Sequence, residues 1–408
     1  MNGILRWLFL IFCFFLFSFT LSPADAAEPF KLTSSTQFLW GDDLLGKSEP
    51  ILAQYLRFSY TPEGQNFSVR GYGTVWYDFG SGDIMDNGFM GNLYYLFADY
   101  TPIENLSFRL GRQMIAFTSL DQTLLDGLRV DYHNLGPLGV TVAGGWYLIQ
   151  TLDSEAFEKG NNAAWAIDLH LENVKNLQLG VSFAQKYADG DLARQAIGMN
   201  GRYSYKFLSL YGDARYEWLT KSWDQATIGL DLFPADGLLI KGEYYRAYPT
   251  FDATSIFSVF AVDQYQQYLL HAEYTFNAPV SAYGEYAHES YGEDGNANRW
   301  TLGTKFNPLK NLALDFSVDY RTGFGGNLWG FQIVGNYKLM EKLILDGGIQ
   351  YNEYRRPDQF GNEFARRYWL AGNWLINKNF SFIARIEDNV NQNFSNNVLG
   401  RIALNWNL

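Results

Sequence analysis

The sequence predicts an all-β protein: a transmembrane antiparallel up-and-down β-barrel of about 22 strands (roughly 20–22), with short periplasmic turns and longer extracellular loops. Three observations predict it. Apolar and polar residues alternate with period two in segments of about ten residues, the length a tilted transmembrane strand needs. The composition favours strands and tight turns, with 28 Tyr, 32 Phe, 12 Trp and 39 Gly against 11 Pro in 408 residues. The connections come in two lengths that alternate along the chain.

The N-terminal segment has a different character. Arg6 precedes the apolar run "WLFLIFCFFLFSFTL" (7–21), and "SPADAA" (22–27) offers a small-x-small site at Ala24-Asp25-Ala26. This predicts a signal peptide over 1–26, cleaved before Ala27, and a single barrel domain over 27–408. The one cysteine, Cys13, lies within the leader, so the mature chain has no disulfide and no Cys-x-x-Cys-His haem site of its own. Beyond Ala27 no apolar run is long enough to span a bilayer as a helix. Alternating segments follow instead, clearest in "NLQLGVSFAQK" (176–186), "QATIGLDLF" (225–233), "NLALDFSVDYR" (311–321), "NFSFIARIED" (379–388) and "VLGRIALNWNL" (398–408).

Between these segments lie short turns such as "TPEGQN" (61–66), "TPIEN" (101–105), "NLGP" (134–137), "NVKN" (173–176), "PADG" (234–237), "NPLKN" (307–311) and "NKN" (377–379). Their Pro, Gly and Asn are what tight turns require. They alternate with longer acidic or Gly-rich connections, including "GDDLLGKSEP" (41–50), "GSGDIMDNG" (80–88), "TLDSEAFEKGNN" (151–162), "YGEDGNAN" (291–298) and "RPDQFGNEF" (356–364). An even strand number puts both chain ends on the short-turn side. One connection, "TFDATSIFSVFAVD" (250–263), is long and rather apolar, which fits inward folding as a constriction, packing on the rim, or contact with a partner.

Parity assigns the faces. In "LSLYGDARYEW" (208–218), Leu208, Leu210, Gly212, Ala214, Tyr216 and Trp218 alternate with Ser209, Tyr211, Asp213, Arg215 and Glu217. Lipid-facing residues by this rule include Leu177, Leu179, Val181 and Phe183; Leu312, Leu314, Phe316 and Val318; and Ile402, Leu404, Trp406 and Leu408. The expected pore-lining set is Arg70, Arg109, Arg129, Asp168, Arg202, Lys206, Asp213, Arg215, Glu217, Asp231, Lys241, Glu243, Glu273, Lys305, Asp315, Asp319, Asp346, Arg385, Glu387 and Arg401. An Arg or Lys facing lipid at mid-bilayer costs roughly 2–4 kcal/mol, so ions on this many strands require a wet or paired face. Tyr60, Tyr77, Tyr100, Trp218, Tyr320, Tyr337 and Trp374 cluster near strand ends, as aromatic girdles do.

Over its whole mature length the chain resembles Gram-negative outer-membrane porin-like β-barrels. The amphipathic last strand "GRIALNWNL" is similar to the assembly signal of that class, which implies recognition by the barrel-assembly machinery. It departs from the pattern at Leu408, where the family usually has an aromatic residue. "RLGRQ" (109–113) followed by "LLDGLRVDY" (124–132) is similar to a strand–loop–strand pattern of several porin-like families, including alginate-export-type barrels.

The net charge of −12 excludes a nucleic-acid partner, which needs a basic footprint. The negative surplus is expected in the loops, at Asp42, Asp43, Asp83, Asp86, Asp153, Glu155, Glu158, Asp189, Asp191, Glu293 and Asp294, where an acidic mouth enriches cations. His133, His170, His271 and His288 sit on separate strands without metal-ligand spacing, so no metal site, cofactor or enzyme chemistry is expected. "EDGNAN" (293–298) lacks the spacing and closing Glu of a calcium loop. Two functions remain. The first is a passive outer-membrane channel for small hydrophilic solutes or ions. The second follows from size, because 22-stranded transporters carry a plug and none is visible here. On that reading the barrel sheathes a periplasmic multihaem cytochrome, which supplies the haems.

Overall fold

The computed structural model describes residues 29–41, 48, 50–80, 88–150, 157–158, 160–248, 264–277, 279–355, 361–392 and 396–408. The signal peptide expected over 1–26 and the 250–263 connection lie outside these residues. The strands are β1 (Phe30–Trp40), β2 (Ile51–Tyr60), β3 (Phe67–Asp78), β4 (Gly88–Ile103), β5 (Leu106–Phe117), β6 (Leu120–Leu135), β7 (Leu138–Tyr147), β8 (Ile149–Gln150) and β9 (Phe157–Glu158). They continue with β10 (Ala163–Leu171), β11 (Leu177–Ala188), β12 (Asp191–Tyr205), β13 (Leu208–Glu217), β14 (Ser222–Ala235), β15 (Leu238–Ala247), β16 (Tyr265–Asn277) and β17 (Val280–Ser290). The rest are β18 (Asn296–Leu309), β19 (Leu312–Gly323), β20 (Asn327–Met340), β21 (Leu343–Arg355), β22 (Glu363–Leu375), β23 (Phe380–Asn391) and β24 (Asn397–Asn407).

All but β8 and β9 form one 22-stranded antiparallel sheet, each strand hydrogen-bonded to its neighbours in sequence, with β7 joined to β10. β24 then pairs with β1, from Thr33↔Asn407 to Trp40↔Gly400, and closes the barrel. Closure removes the open edges that a sheet of this width would expose. The strand count is the one the sequence predicts, and both described ends meet at one rim, where Leu408 N–H donates to Leu32 O at 2.8 Å.

The turns at this rim are short because Asn and Gly accept left-handed backbone there: Asn134 has φ 59° and Gly136 65°, Asn173 58° and Asn176 62°. The opposite rim carries some short connections among its longer ones. β11–β12, β13–β14 and β19–β20 are joined there by tight turns, the first through Asp189 (φ 52°) and Gly190 (φ 91°).

The outer face is apolar. Leu302 is 67% exposed, Leu110 64%, Ile228 59% and Leu370 58%, all at mid-strand positions of the parity opposite to the charges. A closed sheet with such a belt is covered by lipid rather than water. Leu302→Arg is accordingly expected to cost about 2–4 kcal/mol of folding free energy in lipid vesicles, read by urea titration, whereas Thr301→Arg on the other face should cost far less.

Candidate functional site

Strands β5 and β6 leave the wall. β5 pairs with β4 only as far as Leu96↔Arg112, and β6 with β7 only as far as Leu125↔Tyr147. Their pairing with each other continues through Met114↔Leu124 and Ile115↔Thr123 to Phe117↔Leu120. The distal part of this hairpin is therefore bonded mainly to itself.

A row of glycines permits the bend. Gly111 faces Gly127, which faces Gly145. Gly111 holds φ +126°, and a Cβ there would lie 2.3 Å from Leu96 O. A Cβ on Gly127 would lie 2.1 Å from Gly144 O, so backbone passes where side chains would stand. At the point of departure Arg112 forks onto Asp126 at 2.8 and 3.0 Å and donates to Leu93 O at 3.1 Å, satisfying a carbonyl of β4.

The hairpin tip folds into the lumen and lands on the inner face of the wall. Ser119 N–H donates to the Ser182 hydroxyl of β11 at 2.9 Å. A Cβ on Gly198 of β12 would meet Ser119 N at 2.3 Å and the Thr118 carbonyl carbon at 2.4 Å. Beneath the tip lies an apolar floor of Ala143, Ala164, Ala166 and Ala184, against which Ile115, Leu120 and Leu125 are almost fully buried. Each of these three contributes roughly 1.5–3 kcal/mol of burial, enough to hold the tip down. Gly198→Val is expected to lift the tip and raise conductance in planar bilayers while leaving the barrel folded.

Ion pairs fasten the tip further along the wall. Asp121 of β6 forms close ion pairs with Arg194 of β12 and Arg215 of β13. Arg194 also reaches Asp224 at 2.5 Å and Glu217 at 3.1 Å, and Arg215 reaches Asp224 at 2.7 Å. The Glu217 carboxylate in turn accepts Gln195 N–H at 2.9 Å. Asp224 and Glu217 are almost fully buried, and Lys186 stands close by, 5.3 Å from the Tyr147 ring. Three carboxylates and three cations thus balance, which the burial of Asp224 and Glu217 requires, while Asp121 stays partly open to the lumen.

Asp121 reaches Arg215 from several strands away, so the contact crosses the interior and identifies the inner face. Register carries that face around the sheet: Gly198↔Arg215, Asp168↔Ser182, Asp231↔Lys241, Lys305↔Asp315, Asn336↔Asp346, Ala371↔Arg385 and Arg385↔Arg401. All of the residues expected to line a pore lie on it except Lys206, which is a turn residue (φ 48°) placed 5.1 Å from the Tyr205 ring. Strand alternation stops at Tyr205, so Lys206 has no strand face.

Many of these side chains are paired. Arg109 bonds Asp99 at 2.7 Å, Arg129 bonds Asp131 at 2.8 Å, Lys241 bonds Glu243 at 3.0 Å, and Lys305 bonds Glu273 at 3.0 Å. Glu387 takes both Arg367 at 2.7 Å and Arg385 at 2.8 Å. Asp315 accepts Tyr283 Oη at 3.2 Å, and Asp319 accepts Thr301 Oγ1 at 2.6 Å. Between the tip and the wall lies a cavity of about 750 Å³ whose polar lining includes Asp121, Arg202, Tyr211, Asp213, Arg215 and Gln225.

Sequence reasoning missed Asp121, Arg194, Asp224 and the whole tip. The available signal was small side chains at inward positions of three nearby strands, in "AAWAIDLHL", "VSFAQKYA" and "LARQAIGMN". A dry patch in an otherwise ionic lumen needs something to cover it. Two of the histidines, though on separate strands, are neighbours in space: His133, His170 and Glu172 come together at the short-turn rim. His271 lies 3.6 Å from Glu285, and His288 bonds Asn298 at 2.9 Å.

No protein-family model matches the sequence, and no curated protein sequence matches it either. Among solved structures the chain is similar to the translocation pore of the P pilus usher PapC, at TM-score 0.53 and 8% identity over 92% of this chain and 99% of that one. It also matches OccAB2 of Acinetobacter baumannii, at TM-score 0.49 and 11% identity over 93% of this chain and 97% of that one. A third match is OpdQ of Pseudomonas aeruginosa, at TM-score 0.48 and 10% identity over 93% and 98%. Of these three, the first shares the barrel architecture closely enough to bear on the fold, and at that identity on the fold alone.

Proposed function

We propose that this chain is an outer-membrane channel through which small hydrophilic solutes or ions diffuse, with the β5–β6 hairpin as its constriction. The observation that carries the reading is the inward tip, fixed by an apolar floor and an ion cluster, in a lumen otherwise wide enough to leak. A constriction lined by both signs of charge slows passage and discriminates by size and charge. The expected pore-lining residues, all but Lys206, then act as a charged wall along the solute path. A sheath around a cytochrome would need that interior clear, and the tip weighs against it.

Liposome swelling tests the proposal. Vesicles containing the purified barrel should admit small sugars and amino acids and exclude larger oligosaccharides. Swelling no faster than in protein-free vesicles for every solute, together with the absence of conductance steps in a planar bilayer, would overturn it.

A further inference from the structure

His133 on β6 and His170 on β10 are separated in the sheet by β7, yet both reach one carboxylate. His133 Nδ1 lies 2.6 Å and His170 Nε2 3.2 Å from the same oxygen, Glu172 Oε1. They meet over Gly139 of β7, the register partner of His170. A Cβ at Gly139 would lie 2.4 Å from His170 Nε2 and 2.5 Å from Glu172 Oε1, so the missing side chain is what makes the cradle.

The other atoms of the cluster are already committed. Asn134 N–H donates to Glu172 Oε2 at 2.7 Å, leaving Oε1 to the imidazoles. His170 Nδ1 faces Asp168 Oδ2 at 2.8 Å, so its proton belongs on Nδ1 and its lone pair on Nε2 points at Glu172. A lone pair facing a carboxylate oxygen is repulsive unless a proton or a cation lies between them.

We propose that His133, His170 and Glu172 form a binding site for a divalent transition ion of the zinc type at the short-turn rim of the lumen, with Asp168 orienting His170 from behind. Two imidazoles and one carboxylate, with a solvent molecule in the fourth position, are a normal tetrahedral donor set. A carboxylate behind a ligating imidazole is the usual supporting contact. The three donor atoms lie within 4.8 Å of one another, so about 2.0–2.2 Å bonds to a central ion need only small side-chain shifts. Nitrogen donors disfavour calcium and magnesium, which prefer all-oxygen shells. A bound ion would tie the β6–β7 and β10–β11 turns together across β7.

The test uses the full barrel in detergent micelles, titrated with Zn²⁺ against a chromogenic indicator and with Co²⁺ by its d–d absorption. One equivalent of Zn²⁺ is expected to bind, with Co²⁺ giving tetrahedral bands and Ca²⁺ and Mg²⁺ failing to compete. His133→Asn, His170→Asn and Gly139→Ala should each weaken binding at least about tenfold, while His271→Asn and His288→Asn should not. Carbethoxylation of the wild-type protein, read by mass spectrometry, needs no variant: Zn²⁺ should protect His133 and His170 and leave His271 and His288 reactive. Absence of stoichiometric binding, equal competition by Mg²⁺, or protection that does not select His133 and His170 would overturn the proposal.

Discussion

Replacing residues 114–124 by an Asn-Gly turn is expected to raise single-channel conductance about two- to fivefold and to shift selectivity toward anions. The shortened hairpin would close at Gln113 and Leu125, beside the last positions at which β5 and β6 still pair with the wall. The barrel should fold, because every ladder outside the tip is kept. The change in selectivity follows from charge. Excision removes Asp121 and leaves Arg194 and Arg215, with Lys186 nearby, against Glu217 and Asp224 alone. Conductance steps and the reversal potential in a salt gradient read the two effects separately. Unchanged conductance would show that the tip does not limit the path.

Arg194→Ala should lower unfolding free energy by about 3–5 kcal/mol. Arg194 touches three carboxylates, and two of them, Glu217 and Asp224, have no bulk water to turn to when it is removed. The Asp121 side chain is 48% exposed, so Asp121→Asn should cost no more than about 1 kcal/mol while loosening the tip. Urea unfolding in micelles, followed by tryptophan fluorescence, compares the two. Equal costs would mean that the cluster is better hydrated than its geometry implies.

These contrasts show what the linear sequence could reveal. The wall was legible because each strand carries its own period-two pattern: Asp315 and Asp319 between Leu314, Phe316 and Val318 give their faces without any knowledge of a neighbour. The even strand number and the meeting of the two ends follow from the same local signals. The constriction was not legible, because its causes are spread over strands far apart in the chain. Gly111, Gly127 and Gly145 become one hinge only once register aligns them. Ala166, Ala184 and Gly198 each look neutral alone and become a landing surface only side by side. His133 and His170 meet for the same reason, across a strand whose glycine leaves them room. "RLGRQ" and "LLDGLRVDY", notable as a local pattern, turn out to be the two roots of the hairpin.

Closure of the sheet has a consequence for the order in which the molecule is built. Each ladder of the wall joins strands adjacent in sequence, except β7–β10, which skips only the short β8 and β9, and β1–β24, where Ser35 bonds Asn405 across 370 positions. The wall can therefore lengthen like a ribbon by cheap local steps, and a single costly loop closure waits for its last strand. The Asp121 clamp needs β12 to β14 but not the ribbon's far end. The tip can be seated while the cylinder is still an open curl, so the lumen need never close without it.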